Sequence, residues 1–324
     1  MYKLNYIQYP KVQDINFSSN YSLETLKNND LVEEEISLLK KEFRFNSLYS
    51  FRFSDDGILA LMLKLKGKIL VSKGESQAII DAAIRYKNLG FDLEFISIKK
   101  DGTLDYEEIK KADYIFISPY IIDTYVNIDF NIVKEKTDAL VISNISAMPS
   151  FRDCDVAILD SYKLTGYSFS SILFHNDLFE EQYLAQIDTV SIFEINKAIK
   201  RFSPNIKLKE GFKTLLINEF KEDIHFFVDS DKTLPYTLHF GLKNIKAREI
   251  IRTLALSNIF VTNGEGCSLG LSKPSRIIQE MGYEESESRW ALSLSFFQDL
   301  DENEIEKIVK MISKKYRQIR MLND

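Results

Sequence analysis

The 324-residue sequence predicts an α/β protein, a large and mainly parallel-sheet half followed by a smaller α+β half. Between residues 68 and 174, short apolar runs of strand length alternate with stretches of helical periodicity, which is the pattern of βαβ units. After Phe202-Ser203-Pro204, a turn-forming sequence, helices and strands follow without that regular alternation. Apolar residues make up 45% and charged residues 28%, proportions that belong to a globular chain. The expected division is 1–203 for the large half and 204–324 for the small one. The first ~20 residues, polar and tyrosine-containing around Pro10, are expected to pack on the smaller half.

Taken in order, residues 23–41 read as a helix, because Leu26, Leu31, Ile36, Leu38 and Leu39 recur among charged residues. Residues 48–53 have strand composition and end in Ser54-Asp55-Asp56-Gly57, with a helix over 58–66 beyond. A strand at 68–71, an amphipathic helix at 76–89, a strand at 92–98, a helix at 106–111 and strands at 114–118, 139–143, 157–159 and 171–174 follow. In the second half, helices are expected at 179–201, 208–221, 246–256 and 302–320, with strands at 224–228, 234–240, 259–262 and 291–297.

Several function classes are disfavoured. The net charge of -6 arises from 42 basic and 48 acidic residues scattered along the chain, unlike the basic face of a nucleic-acid protein. No apolar run approaches the ~20 residues of a membrane span, and Met1-Tyr2-Lys3-Leu4-Asn5 opens no signal-peptide core. Cys154 and Cys267 make no disulfide framework and fit a reducing compartment, so a cytoplasmic protein without nucleic-acid or membrane partners is expected. His175, His225 and His239 show no metal-ligand spacing with the cysteines, and no metal site is expected. No G-x-G-x-x-G or G-x-x-x-x-G-K-[ST] fingerprint is present.

Two stretches bear on chemistry. Ile158-Leu159-Asp160-Ser161-Tyr162-Lys163-Leu164-Thr165-Gly166 puts a lysine just past a buried strand, where desolvation would lower its pKa and suit it to Schiff-base formation. The plainer alternative is a surface lysine in a loop. Thr262-Asn263-Gly264-Glu265-Gly266-Cys267-Ser268-Leu269-Gly270-Leu271-Ser272-Lys273-Pro274-Ser275 puts a thiol on a glycine-rich loop between a strand and a helix. Here the plainer alternative is a turn with an incidental cysteine.

The second stretch resembles the catalytic-cysteine loop G-S-A-C-S-S-G-S-L-E-P-S of the NifS-like cysteine desulfurases, which are class V aminotransferases. Cys267, Gly270, Pro274 and Ser275 fall on matching positions. The first resembles S-G-H-K-[IL]-x-G, whose lysine carries pyridoxal phosphate, and Asp101-Gly102-Thr103-Leu104-Asp105 resembles D-G-x-[VL]-D. The resemblance implies a pyridoxal-phosphate-dependent transferase of fold type I and a homodimer. Its chemistry would be sulfur abstraction from L-cysteine, with Lys163 holding the cofactor and serving as acid and base. Cys267 would take the sulfur as a persulfide, leaving alanine.

The same resemblance assigns Lys163, Ser54, Ser76, Asn144, Asp160, Tyr162 and Thr189 to the cofactor and Asp123, Ser293 and Arg289 to the amino-acid substrate. Several are departures from the family pattern. Ser54 falls near a phosphate-binding threonine, Ser76 replaces a stacking histidine, Asn144 an aspartate, and Ala147 a glutamine. Asp160 and Tyr162 stand for the serine and histidine before the lysine, and Ser293 for the substrate arginine, with Arg289 close by. A glycine-rich segment of the family is missing before Asp188-Thr189. The resemblance therefore also allows a degenerate homologue acting as scaffold or regulatory partner, or an enzyme for a different amino acid.

Overall fold

The computed structural model describes residues 1–10, 14–15, 21–23, 31–264 and 273–323. The first part of the chain forms β1 (Tyr2–Lys3), α1 (Leu31–Phe43), β2 (Ser47–Phe51), α2 (Asp55–Lys64), β3 (Ile69–Ser72), α3 (Gln77–Asn88) and β4 (Leu93–Ile96). It continues with β5 (Tyr114–Phe116), α4 (Phe130–Lys136), β6 (Leu140–Asn144), β7 (Val156–Leu159), α5 (Ser161–Thr165) and β8 (Ser171–His175). Then come α6 (Thr189–Lys200), α7 (Leu208–Phe220), β9 (Ile224–His225), β10 (Thr237–Leu242), α8 (Ala247–Ala255) and β11 (Ile259–Phe260). The last elements are α9 (Arg276–Glu280), α10 (Glu285–Ser288), β12 (Ala291–Ser295) and α11 (Glu302–Asn323).

Among the described residues, seven strands form one sheet in the order β2-β8-β7-β6-β5-β3-β4. The strands from β4 to β7 pair in parallel, whereas β8 is antiparallel to both β7 and β2. Every residue of β3, β7 and β8 is buried, because helices cover both faces of a mostly parallel sheet, and so these strands read as unbroken apolar runs. The chain steps outward from β3 to β4 and then returns to β5 on the other side of β3. Ligands of open α/β sheets bind at the carboxyl ends of the strands at such a reversal. The turns after β3, β5 and β7 open there.

The smaller sheet is antiparallel, in the order β12-β10-β9, and α7, α8 and α11 pack on it. Leu4 joins that core with Phe212, Phe240, Leu254, Leu294 and Ile308, and β1 pairs in parallel with β11. Leu4 and Ile7 are buried beside equally buried Asn5 and Gln8.

Other differences from expectation have local causes. The helix expected over 179–201 begins only at Thr189, where the Asp188 carboxylate accepts from the Ser191 N–H and fixes the start. The helix expected at 106–111 is one 3₁₀ turn, Tyr106–Glu108. The strand expected at 224–228 stops at His225, and Phe227 and Val228 turn into the core beside Ile98 and Val126. Conversely, α2 starts three residues early because Ser54 caps it. Of the helix expected at 23–41, residues 24–30 lie outside the described residues; the described part runs to Phe43.

A Cβ on Gly57, in the first turn of α2, would stand 1.8 Å from the carbonyl oxygen of Arg52, a backbone atom that cannot swing aside. Gly57→Ala is expected to destabilise the protein by about 1–3 kcal/mol, read as a lowered urea midpoint. An unchanged midpoint would show that residues 52–57 yield freely.

Candidate functional site

A cavity of about 460 Å³ opens at the carboxyl ends of the sheet strands, within the range of about 300–1,000 Å³ typical of small-molecule sites. Lys163, Tyr162 and Asp160 line it from the turn after β7, Ser76 from the start of α3, Asp123 from the segment after β5, and Gln8 from the N-terminal segment. Phe53, Ile122 and Pro274 supply apolar wall, and Lys273 and Arg276 border it.

Local hydrogen bonds put Lys163 in place. The apolar strand β7 ends at Asp160, whose N–H donates to Ser146 Oγ at 2.7 Å and whose carboxylate accepts from the Tyr162 N–H at 3.0 Å. Asp160 thus caps α5, and Lys163 lies on this short helix, which ends at Gly166 with φ 81°. Lys163 is 9% exposed. Burial, and then Asp160, raise the Tyr162 phenol above its ordinary pKa, so the phenol stays protonated. Asn144, at the end of β6, does not line the cavity. Its Oδ1 accepts from the Ser146 N–H at 3.1 Å and the Ser146 hydroxyl at 2.6 Å, so it props the serine that holds Asp160.

On the opposite side, Ser76 is the N-cap residue of α3, yet its side chain makes no cap bond and its buried Oγ has no partner. Asp123 is buried in a left-handed conformation, φ 67°, and its carboxylate accepts from Ser275 Oγ at 2.9 Å. A Cβ on Gly264 would lie 2.1 Å from that carboxylate, so only glycine fits there. The Asp123 carbonyl accepts from Ser293 Oγ at 3.0 Å. Ser293 itself is fully buried on β12 and lies 2.9 Å from His239 Nδ1.

The other candidates lie elsewhere. Ser54 is next to the cavity residue Phe53, but its Oγ accepts from the Gly57 N–H at 3.2 Å to cap α2, beside Asp55 and Asp56, which pair with Arg85. Thr189 donates to the carbonyl of Tyr21 at 2.5 Å. Arg289 pairs with Glu285 within α10 and lines a separate hollow with Lys246 and Trp290. Cys267, with Gly266 and Gly270, lies outside the described residues. The flanks of that stretch are described: Gly264 and Ser275 meet Asp123, while Lys273 and Pro274 line the cavity.

Sequence reasoning missed four contributors. Gln8 accepts from the hydroxyl of fully buried Tyr125 at 2.8 Å, and its Nε2 is buried without a partner. Tyr125 is itself left-handed, φ 61°, which is costly for a bulky residue. Glu75, a buried carboxylate, accepts from the Ser118 N–H and, at 2.8 Å, from its hydroxyl. Arg276 donates to the carbonyls of Lys73 and Glu75 and to Gln77 Oε1. Nothing in residues 1–20 signals the part played by Gln8; Arg276 follows Pro274-Ser275 in the quoted stretch and was legible as a helix start and as a cation near Cys267, not as a tie to the turn after β3.

No family model matches the chain. The cysteine desulfurase IscS of Neisseria gonorrhoeae is 21% identical over 298 residues, covering 80% of this chain and 73% of the relative. Among solved structures, a NifS-like protein superposes with a TM-score of 0.72 at 14% identity, over 97% of this chain and 98% of that one. SspA in complex with cysteine superposes at 0.66 with 13% identity, over 91% and 99%. The fold is that of fold type I: a seven-stranded mixed sheet, mostly parallel, followed by a small α+β part.

With Ser293 donating to Asp123, the His239 ring donates from Nδ1, and burial holds its pKa down at about 3. The unfolded chain returns the ring to about 6.5. Between those values the unfolded state binds more protons, so stability rises with pH and falls as pH drops from about 6.5 toward 3. Urea midpoints at pH 7 and pH 4.5 are expected to drop further for the parent than for His239→Gln. Equal drops would remove His239 as the cause.

Proposed function

We propose that this chain, a diverged member of the NifS-like class V aminotransferase family, binds pyridoxal phosphate through Lys163 and acts on an amino-acid substrate, in the manner of a cysteine desulfurase. The observation that carries the reading is the burial of Lys163 on the wall of a cavity at the carboxyl ends of the sheet, beside Asp160 and Tyr162. The residues present fit such a group. The cavity offers an amine, the apolar surfaces of Phe53 and Ile122, and the buried, unpartnered Ser76 Oγ and Gln8 Nε2.

When bound, pyridoxal phosphate supplies an aldehyde that condenses with amines and a ring that accepts electrons. The chain supplies the rest. Lys163 Nζ would hold the aldehyde end and would serve as proton carrier at the substrate's α-carbon. Asp160, by capping α5, sets where that nitrogen stands. Tyr162 keeps its proton and serves as a donor at the same wall. Cys267 is assigned the sulfur-accepting role on the likeness of its loop. A homodimer in a reducing compartment such as the cytoplasm is the assembly and setting this reading takes from the family; among the described residues no helix is long and apolar enough to cross a membrane.

A second reading, a scaffold or regulatory partner without turnover, is favoured by two positions. Where the family's substrate arginine is matched, Ser293 is buried and bonded to Asp123 and His239, so it offers a ligand no charge. Neutral Asn144 has its oxygen engaged by Ser146 and supplies no carboxylate to a pyridine nitrogen.

Titration of the purified protein with pyridoxal phosphate is expected to raise a visible absorption band in the parent and none in Lys163→Ala. With cysteine added, Lys163→Ala should lower sulfide release by about 10²–10⁴-fold, and Cys267→Ser should leave no protein-bound persulfide. No band in the parent would overturn the cofactor assignment. A band without turnover of cysteine or of any other amino acid would establish the second reading, and turnover of another amino acid alone would change the substrate.

A further inference from the structure

The cavity holds a feature that the proposed role of Lys163 does not use. Helix α3 has 12 residues, long enough for a developed dipole whose positive end lies at its first turn. A serine at the N-cap normally accepts from a first-turn N–H. Ser76 does not: with φ -59° and ψ 154°, its side chain makes no cap bond. Its Oγ is unpartnered although the residue is only 3% exposed, and the residue lines the cavity together with Gln77 and Ala78 of the first turn. That leaves a buried hydroxyl and a helix N-terminus on one wall.

The groups at that end of the helix suit the arrangement. The first turn of α3 contains no acidic residue. The Arg276 guanidinium is fixed beside it by bonds to Gln77 Oε1 at 3.1 Å, to the Lys73 carbonyl at 2.7 Å and to the Glu75 carbonyl. The nearby carboxylates are engaged: Glu75 accepts from Ser118, and Asp81, one turn further on, accepts from Gln77 Nε2 at 2.8 Å. The start of α2 presents the opposite case, since Ser54 caps its own helix and Asp55 and Asp56 occupy the first turn. An anion is disfavoured at α2 and favoured at α3.

We propose that Ser76 Oγ and the N-terminus of α3 form an oxyanion subsite of this cavity, seating the phosphate or the carboxylate of its ligand. The proposal rests on the cavity being the ligand site described above, but not on Lys163 bonding to an aldehyde. It is therefore tested in the Lys163→Ala protein by isothermal titration calorimetry, with inorganic phosphate in one arm and acetate in the other.

Saturable binding of at least one anion is expected, weakened about ten- to hundredfold by Ser76→Ala or Ser76→Gly and retained by Ser76→Thr, in keeping with the loss of a hydrogen bond to a charged group. Ser76→Gly keeps an acceptable N-cap residue should Ser76→Ala fold poorly. Sensitivity to Ser76 in the phosphate arm would assign the subsite to a phosphate ester; sensitivity in the acetate arm alone would assign it to a substrate carboxylate. Failure of both anions to bind, or equal binding without the hydroxyl, would overturn the subsite. A Lys163-dependent absorption band alongside that failure would leave the cofactor assignment standing. Anion binding without any such band in the parent would do the reverse.

Discussion

The geometry of the site depends on the buried carboxylate of Asp123. A carboxylate removed from water must find donors, and this one accepts from Ser275 Oγ while the missing side chain of Gly264 leaves room for it. Its own backbone carbonyl accepts from Ser293 on β12. One residue therefore joins the segment after β5 of the large sheet, a strand of the small sheet, and both described flanks of the cysteine-bearing stretch. The joint carries conformational cost. Asp123 and Tyr125 both lie in the left-handed region, at roughly 1–3 kcal/mol for each strained residue, and such conformations persist only where the surroundings enforce them. Tyr125 is enforced by complete burial and by its bond to Gln8, and Asp123 by the contacts named above.

Arg276 provides a second tie, of different character. Exposed ion pairs such as Lys73–Glu280, at 2.9 Å, contribute little on their own. The three bonds of Arg276 matter more, because they satisfy the carbonyls of Lys73 and Glu75 in the turn after β3. That turn leads into Ser76, so α9 steadies the start of α3 through direct bonds. One wall of the cavity thus belongs to the first part of the chain and is braced by the second.

Much of this architecture was legible in the sequence. Strands β3, β7 and β8 stood out because burial on both faces makes them continuous apolar runs, and α3 because its buried residues, Ile79, Ile80, Ala83 and Tyr86, recur at helical spacing. The apolar run before Lys163 left two readings open, a desolvated lysine and a surface one, and the structure buries it. What escaped was every relation made by distance in the fold. Gln8 and Tyr125 are 117 residues apart, and no local pattern links them. Thr189 and Arg289 were drawn in by nearness to matched positions along the chain, but the fold engages them with Tyr21 and Glu285. Residues 179–188 show how periodicity alone misleads: the spacing suits a helix, but Asp188 offers its carboxylate to the first turn of a helix beginning one residue later.

The cavity's polar groups divide into those already held and those still able to meet a ligand. Lys163, Lys273 and Arg276 face Asp81, Asp123 and Asp160 among its described lining, so formal charge cancels and no strong net field selects a ligand. Asp160 is engaged in capping α5, Asp123 by Ser275, Asp81 by Gln77, and Arg276 by carbonyls. Among the described residues, the buried lining groups left without partners are neutral, Ser76 Oγ and Gln8 Nε2. A buried neutral donor discriminates by geometry, because a ligand that fails to reach it leaves its desolvation uncompensated. A site that lacks a bidentate arginine but keeps such donors therefore reads the shape and acceptor positions of its ligand more than its charge. Those two buried donors, held in place by the packing around them, set the terms on which this cavity meets a ligand.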